Sequence, residues 1–438
     1  MEIPATSVFK LSETVTCPDC KHEIILYDYP KSKFASCSVC HVYWQIVATG
    51  VLKQRKQLEE PKKEPALKLG TTVQLHGDTL KVIAYLEKKE SNTVYSWREY
   101  LLSSSDKGYV TLSEFNGHWN FIAGEKFLPD YKKPMSYGDS IDYKGVLYKL
   151  FNKYTPVVTA MLGEADWDVI GERVKASEYI APPFMVVQET NRNNVGERNY
   201  YIGEYLEPEY IANAFGINRE LLPEKIDIGA NEPSKAYQNW TSALVASGVA
   251  LIIILLIHIL LGYAKPEKEL INDTFLITYD GSSGTDTFKP FVTPAFTIDD
   301  ESSNLAFEIA SAVDNNWLEA TIMLVNEIDN KTWEVSKGIE YYHGYEDGEK
   351  WSEGSTTQSI LISEIPKGKY HLNVYPSSGD IYRNSLYIKA TCNVPLWRNT
   401  LISILLICIY PTIAWYLMRN YEKKRWNNSD YSPFVTED

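Results

Sequence analysis

Two stretches of this 438-residue chain are too uniformly apolar for a loop or a surface helix, and they restrict everything else it can fold into. The first covers residues 243–261 and contains an unbroken apolar run at 249–257, with His258 as its one ionisable residue. About twenty such residues, rising ~1.5 Å each, cross the hydrocarbon of a bilayer. Trp240 and Tyr263 bracket the stretch as interfacial aromatics do. The second covers residues 394–418, with Trp397, Trp415 and Tyr416 towards its ends and Pro411 inside, where a membrane helix tolerates a kink. Buried helices of a large soluble protein are the bland alternative; the lack of any polar face along residues 251–257 argues against it. His258, solitary and near the end of its span, is read as reaching the interface rather than as a transport group.

The flanks predict an orientation. Arg419, Lys423, Lys424 and Arg425 crowd the end of the second stretch, which by the positive-inside bias puts the C-terminus in the cytoplasm. Two spans then place the N-terminus there too. Thiol chemistry agrees: four of six cysteines lie within the first forty residues, and metal thiolates survive in reducing compartments. No basic start followed by a long apolar run opens the chain as a secretory signal would.

Those cysteines are Cys17-Pro18-Asp19-Cys20 and, sixteen residues on, Cys37-Ser38-Val39-Cys40. Each short turn aims two sulfurs at one point, and two hairpins bring the pairs into a tetrahedron. The expectation is a ribbon holding structural Zn²⁺ through Cys17, Cys20, Cys37 and Cys40, with no open coordination position and hence no catalysis. His22 and His41 are read as bystanders. Lys21, Lys31 and Lys33 are balanced by Asp19, Glu23 and Asp28, and the chain as a whole carries a net charge of −14. Both observations favour protein contacts over nucleic acid, whose phosphates need clustered Lys and Arg.

Composition is that of a folded protein, 44% hydrophobic with 31 Tyr and 11 Trp. The expected fold class is multidomain and mainly β. It comprises a zinc ribbon (1–50), a charged linker (51–66), a duplicated β-rich cytoplasmic domain (67–218) and a second linker (219–240). A transmembrane helix (241–263), an extracytoplasmic jelly-roll-like β-sandwich (264–393), a second transmembrane helix (394–418) and a cytoplasmic tail (419–438) follow. Short alternating runs such as 72–75, 80–85 and 99–102, broken at Gly77-Asp78, Asp106-Lys107-Gly108 and Asn116-Gly117, predict strands and turns in the third piece. A helix is expected only at 208–215. The duplication rests on two echoes. Leu69-Gly70 reaches Gly77 as Tyr137-Gly138 reaches Gly145, and Trp97-Arg98-Glu99-Tyr100-Leu101 returns as Tyr201-Ile202-Gly203-Glu204-Tyr205-Leu206.

This region resembles a bacterial family, the domain of unknown function numbered 4178. The residues that carry the resemblance are Trp97, Glu99-Tyr100-Leu101, Gly108-Tyr109, Leu112, Glu114 and Gly117-His118-Trp119. In the second half they are Gly163-Glu164, Trp167, Tyr179-Ile180-Ala181-Pro182-Pro183, Gln188-Glu189, Tyr201 and Gly203-Glu204-Tyr205. About a third of the chain is covered, and the outer domain is not assigned to the family. The resemblance implies an N-terminal cysteine ribbon, a membrane-associated bacterial role and a gene encoded near those of polyamine-synthase-like and small membrane proteins, and no reaction.

Glu99, Glu114, His118 and Glu204 are acid/base candidates by type. The pocket they would suggest is lined by Trp97, Glu99, His118, Trp119 and Glu204; the bland reading is that these carboxylates fix strand register. No HExxH, Gly-x-Ser-x-Gly, Walker or Rossmann pattern appears, and Gly138-Asp139-Ser140 and Gly281-Ser282-Ser283-Gly284 read as turns. In the outer domain, Tyr342, His343, Tyr345, Asp347 and Trp351 mix aromatic faces with carboxylates, which suits carbohydrate stacking or Ca²⁺ ligation. A plain exposed hairpin is the alternative there. Residues 265–397 hold 21 acidic and 10 basic side chains, so the outer domain should stand off anionic headgroups.

The leading functional expectation is a non-catalytic bacterial inner-membrane protein for assembly or sensing, in membrane stress for instance. It would bind protein partners in the cytoplasm and a glycan or protein of the envelope outside. The alternatives are an enzyme or small-molecule receptor using the duplicated domain, and a membrane-tethered nucleic-acid-binding ribbon.

Overall fold

The computed structural model describes residue 9 and residues 12–48, 51–104, 108–126, 139–171, 174–191, 198–281 and 288–434. Asp106-Lys107, Tyr137-Gly138 and Ser282-Ser283-Gly284, to which turns or a repeat were assigned, lie outside them. The chain divides into two compact units, Met1–Ser242 with Thr412–Asp438, and Ala243–Pro411.

The first unit opens with the hairpin β1 (Glu13–Thr16) and β2 (Glu23–Leu26), then β3 (Phe34–Ser36), β4 (Val42–Ala48) and β5 (Val51–Gln57). The expected linker at 51–66 is therefore corrected. Residues 51–57 pair with β4; Leu58 is buried, and Glu59 N–H donates to Thr159 O. Lys62 and Lys63 N–H donate to the Glu87 carboxylate, and Ala66 N–H to the Tyr100 hydroxyl. This edge strand is exposed along almost its whole length, so its lysines mimic a solvated linker.

The family-like region follows as β6 (Thr72–Leu75), β7 (Asp78–Glu90), β8 (Ser96–Ser104), β9 (Gly108–Phe115) and β10 (His118–Glu125). Next come β11 (Ser140–Tyr143), β12 (Val146–Tyr154), β13 (Pro156–Ala165), β14 (Val174–Ala181), β15 (Phe184–Asn191) and β16 (Arg198–Leu206). The antiparallel ladder runs β11-β12-β14-β15-β16-β10-β9-β8-β7-β13-β3-β4-β5. Only Thr155 separates β12 from β13, yet β12 pairs with β14 and β13 with β7, so the ladder curls back on itself as an open barrel, with no β12–β13 pairing among the described residues. The second cysteine hairpin extends that sheet, because β3 pairs with β13, whereas β1 and β2 form a two-stranded sheet of their own.

Two runs of the sheet share one strand order. β6-β7-β8-β9-β10 and β11-β12-β14-β15-β16 are two five-strand meanders joined through the β10–β16 pair, with β13 inserted in the second. Their first turns match: His76-Gly77 and Lys144-Gly145 both have positive φ at two central residues, as tight hairpins require. The second echo is corrected. β8 corresponds to β14, so Glu99-Tyr100-Leu101 finds its counterpart in Glu178-Tyr179-Ile180, not in β16.

One face of the first meander packs Leu80, Val82, Tyr100, Leu112 and Trp119 under α1 (Pro208–Phe215). Pro208 opens this helix and Gly216, at φ 63°, ends it. The expected second linker is also ordered: Asn231 is fully buried and Ile226 N–H donates to Asn116 O.

Helices α2 (Lys235–Ala264) and α3 (Trp397–Trp426) are long and apolar enough to cross a membrane. Their apolar windows are 0% and 6% buried, unlike the core helix of a soluble protein. In the second unit, His258 Nδ1 lies 2.9 Å from the Thr400 hydroxyl and its ring 4.1 Å from that of Trp397. This histidine has partners on α3, which the sequence did not suggest.

The β structure of the second unit is β17 (Lys268–Leu276), β18 (Phe291–Val292), β19 (Phe296–Ala310), β20 (Asn316–Asn326), β21 (Thr332–Glu346), β22 (Glu349–Ser355), β23 (Thr357–Ser378) and β24 (Ser385–Cys392). These form one ladder, β17-β24-β19-β23-β20-β21-β22, with β18 on β23. A sandwich of seven or more short strands was expected. Instead β19, β21 and β23 run 15, 15 and 22 residues, and register shifts within residues 298–305 mark bulges, which bend a strand. Phe307, Ile322, Leu324, Leu372, Val374 and Ile388 lie in its core.

Candidate metal centre and the placement of the predicted site residues

Each cysteine pair sits in the turn of a hairpin, 17–20 between β1 and β2 and 37–40 between β3 and β4. The two turns are built alike. Lys21 N–H donates to Cys17 O and His41 N–H to Cys37 O, both at 3.0 Å, and Lys21 and His41 both have positive φ. All four Sγ atoms lie within 4.8 Å of one another, Cys17–Cys40 at 3.6 Å and Cys20–Cys37 at 3.5 Å. Cys17 and Cys37 are fully buried. A backbone hydrogen bond at His22 lowers the Cys20 thiol to about 7, whereas burial raises Cys37 and pushes Cys40 up to about 12. Such a quartet could hold one metal ion with no position left for substrate. His22 and His41 are not among the clustered ligand atoms.

The ribbon is fastened to the barrel through a carboxylate. Glu164 on β13 is fully buried and accepts Tyr27 N–H, Asp28 N–H and the Ser32 hydroxyl. Burial outweighs these donors and raises its pKa to about 7. Gly163 beside it has φ 89°, and a Cβ there would strike Ile83 O. Tyr109 donates to Asp28 at 3.0 Å and packs against Trp167, while Asp168 takes Arg55 and the Tyr43 hydroxyl.

The five residues proposed to line one pocket are not brought together. Trp97 Nε1–H donates to Glu99 at 2.8 Å, and Lys88 pairs with Glu99 at 2.6 Å. The Trp97 ring meets Tyr154, whose hydroxyl donates to Glu178. This cluster joins β7, β8, β12 and β14 across the barrel. Burial raises the Glu178 pKa; it works against the Lys88 ammonium, but Glu99 and Glu189 outweigh it and hold that pKa above its usual value. His118 is elsewhere, bonded to the Tyr205 hydroxyl and Ile226 O, with Glu232 3.6 Å away. Trp119 is buried against Tyr100 in the core under α1. Glu204 is half-buried beside His76. Glu114, the remaining acid/base candidate, is buried and pairs with Arg98 at 2.6 Å.

Residues 68–208 match the family described as Domain of unknown function (DUF4178). The match coincides with the barrel strands β6–β16. Within the DUF4178 segment, Tyr109, Glu164 and Trp167 form the seat of the ribbon, and Trp97, Glu99 and Glu189 belong to the interior cluster. No curated protein matches the chain. Among solved structures, one of infectious bursal disease virus, Gx strain, aligns at 12% identity over 88% of this chain and 71% of that one, with a TM-score of 0.18. An exo-beta-1,3-galactanase from Phanerochaete chrysosporium aligns at 8% identity over 88% and 81%, with a TM-score of 0.15. Likenesses this slight define neither the fold of the DUF4178 segment nor its role.

The outer aromatic cluster is split by strand alternation. Tyr342 and Trp351 share one face of the β21–β22 hairpin, the latter covering Gly344; His343 and Tyr345 lie on the other. His343 bonds Asp314 at 2.6 Å, and Asp347 occupies the turn with φ 49°. Among the described residues no carboxylate cluster capable of holding a metal forms there.

Sequence reading missed the Glu164 clamp and the role of the tail. Arg425 is fully buried, donating to Gly229 O, Ala230 O and Glu232 O at 2.7–3.0 Å. Trp426 packs on Phe151 of β12, and the Ser429 hydroxyl donates to Phe151 O. Arg425 had registered only as one of four flanking cations.

Proposed function

We propose that this is a non-catalytic bacterial inner-membrane protein that crosses the bilayer twice and serves assembly or sensing. A cytoplasmic ribbon–barrel body binds protein partners, and the β domain between the spans contacts a glycan or protein of the envelope. The observation that carries the reading is that chain on both sides of the helical pair folds into one body. Residues 419–434 pack on the barrel through Arg425, Trp426 and Ser429, which supports a reading with residues 1–234 and 419–434 on the same side and an even number of crossings between them. Zinc suits the cysteine quartet: Zn–S bonds of ~2.3 Å in a tetrahedron separate sulfurs by about 3.8 Å, close to the 3.5 and 3.6 Å of the two nearest pairs.

The test is twofold. Membrane-impermeant thiol labelling of intact cells should modify a cysteine introduced at Tyr382, an exposed position of the outer domain, and spare one introduced at Ser429. Affinity purification from membranes should then recover specific proteins, and recovery should fall when the ribbon seat is broken by Glu164→Ala. Labelling of both sites would sink the topology; unchanged recovery would remove the ribbon from partner binding. A small-molecule receptor is the second reading, favoured by the polar cluster of Lys88, Trp97, Glu99, Tyr154 and Glu178 inside the barrel.

A further inference from the structure

Where α2 begins and α3 ends, the first unit carries a groove of about 820 Å³. Its wall on α3 is a stripe at helical spacing: Leu417, Asn420, Tyr421 and Lys424, continued by Asn427 and Asn428. Ala236, in the first turn of α2, forms part of the opposite wall and adds the positive end of that helix dipole. Arg425, on another side of the same turn, is locked to backbone carbonyls, so the stripe is held on a fixed scaffold. From Leu417 to Lys424 the helix rises about 10 Å, the depth over which hydrocarbon gives way through headgroups to water. Apolar chemistry at Leu417, one amide at Asn420, and an exposed ammonium at Lys424 followed by the amides of Asn427 and Asn428 match a molecule with an acyl chain, an ester region and a phosphate carrying a polar headgroup. Asp227 is the one acid on the wall. It disfavours a bare multiply charged anion and can accept a headgroup hydroxyl.

We propose that this groove binds the headgroup of an anionic, hydroxyl-bearing phospholipid of the adjoining leaflet. Lys424 pairs with the phosphate, Asn420 donates to the glycerol esters, Asn427 and Asn428 donate to the phosphate and headgroup oxygens, and Leu417 meets the acyl chain. The inference rests on the membrane-spanning reading above.

Full-length protein reconstituted in nanodiscs of phosphatidylcholine, titrated with phosphatidylglycerol and read by native mass spectrometry, tests it. Phosphatidylglycerol should be retained selectively. Lys424→Ala should weaken retention about 10-fold, the scale of one charge-assisted hydrogen bond. Lys423→Ala, at the neighbouring exposed cation outside the groove, should change it less than about twofold. Equal losses from both variants would reduce the effect to a diffuse basic flank and overturn the site, as would the absence of any lipid preference. Displacement by millimolar inorganic phosphate would show a free-phosphate site instead. Protein that never enters nanodiscs and stays aqueous would sink the membrane reading itself, an outcome distinct from incorporation without lipid selectivity.

Discussion

Glu164, on a barrel strand, accepts the hydroxyl of Ser32, in the ribbon, at 2.7 Å. With the Tyr27 and Asp28 amides on the same carboxylate, one side chain satisfies three donors of a neighbouring loop. Its pKa, raised from 4.5 to about 7, makes the contact pH-dependent. The folded state binds the proton more tightly than the unfolded one, so stability is highest below about 4.5 and falls as pH rises through about 7. The span is on the order of 3 kcal/mol. Glu164→Gln should flatten this slope between pH 5 and 7, and Glu164→Ala should loosen the ribbon at every pH. Hydrogen exchange of residues 27–36 measures both; a slope unchanged in Glu164→Gln would assign the pH response to another group.

The cysteine quartet should carry one metal per chain, detectable by elemental analysis of protein purified without added metal. Cys37→Ser, at a fully buried ligand, should abolish that metal and unfold the two knuckles. The barrel strands should keep their protection, since only β3 and β13 join the ribbon ladder to theirs. Metal retained at full stoichiometry in Cys37→Ser would show that the four sulfurs do not act together.

Inside the barrel, Lys88 and Glu99 form a pair that is mostly withdrawn from water. Lys88→Met leaves the carboxylate unpaired and should cost about 3–5 kcal/mol, whereas replacing both partners with apolar residues should cost much less. Glu204→Gln, at a half-buried position whose one ion-pair contact is His76 at 3.8 Å, should cost less than about 1 kcal/mol. Equilibrium urea unfolding separates the three; a Glu204 effect as large as that of Lys88 would place the buried cluster elsewhere.

How much of this was legible beforehand depended on whether a residue's partner lay nearby in sequence. Pro208 and Gly216 bound α1 by local rules, the cysteine spacing announced its own geometry, and Gly77 and Gly145 marked equivalent turns. Glu-Tyr occurs at 99–100, 178–179, 204–205, 209–210 and 340–341, and local pattern cannot say which two are structurally equivalent; strand pairing picks the first two. Glu164 and Arg425 were opaque for the same reason. Their partners lie 132 to 137 and 193 to 196 residues away, and nothing in a window around either residue distinguishes a buried clamp from a solvated charge. β5 was mistaken because this strand, exposed along almost its whole length, shows no apolar alternation.

Arg425 provides the sharpest test of the shared body. Its guanidinium donates three bonds to backbone carbonyls spread over residues 229–232, a fork that an ammonium cannot reproduce. Arg425→Ala would leave those carbonyls buried without donors and should cost about 3–5 kcal/mol, with Arg425→Lys recovering only part. Because Trp426 is next in the chain and packs on Phe151, the loss should spread to β12. Limited trypsin digestion of the detergent-solubilised protein should then release the segment after α3, which the native chain protects. Neighbouring Lys423→Ala, at an exposed site, should leave that protection intact. If Arg425→Ala resists trypsin as the native chain does, the segment is held by its apolar contacts alone and the clamp contributes little.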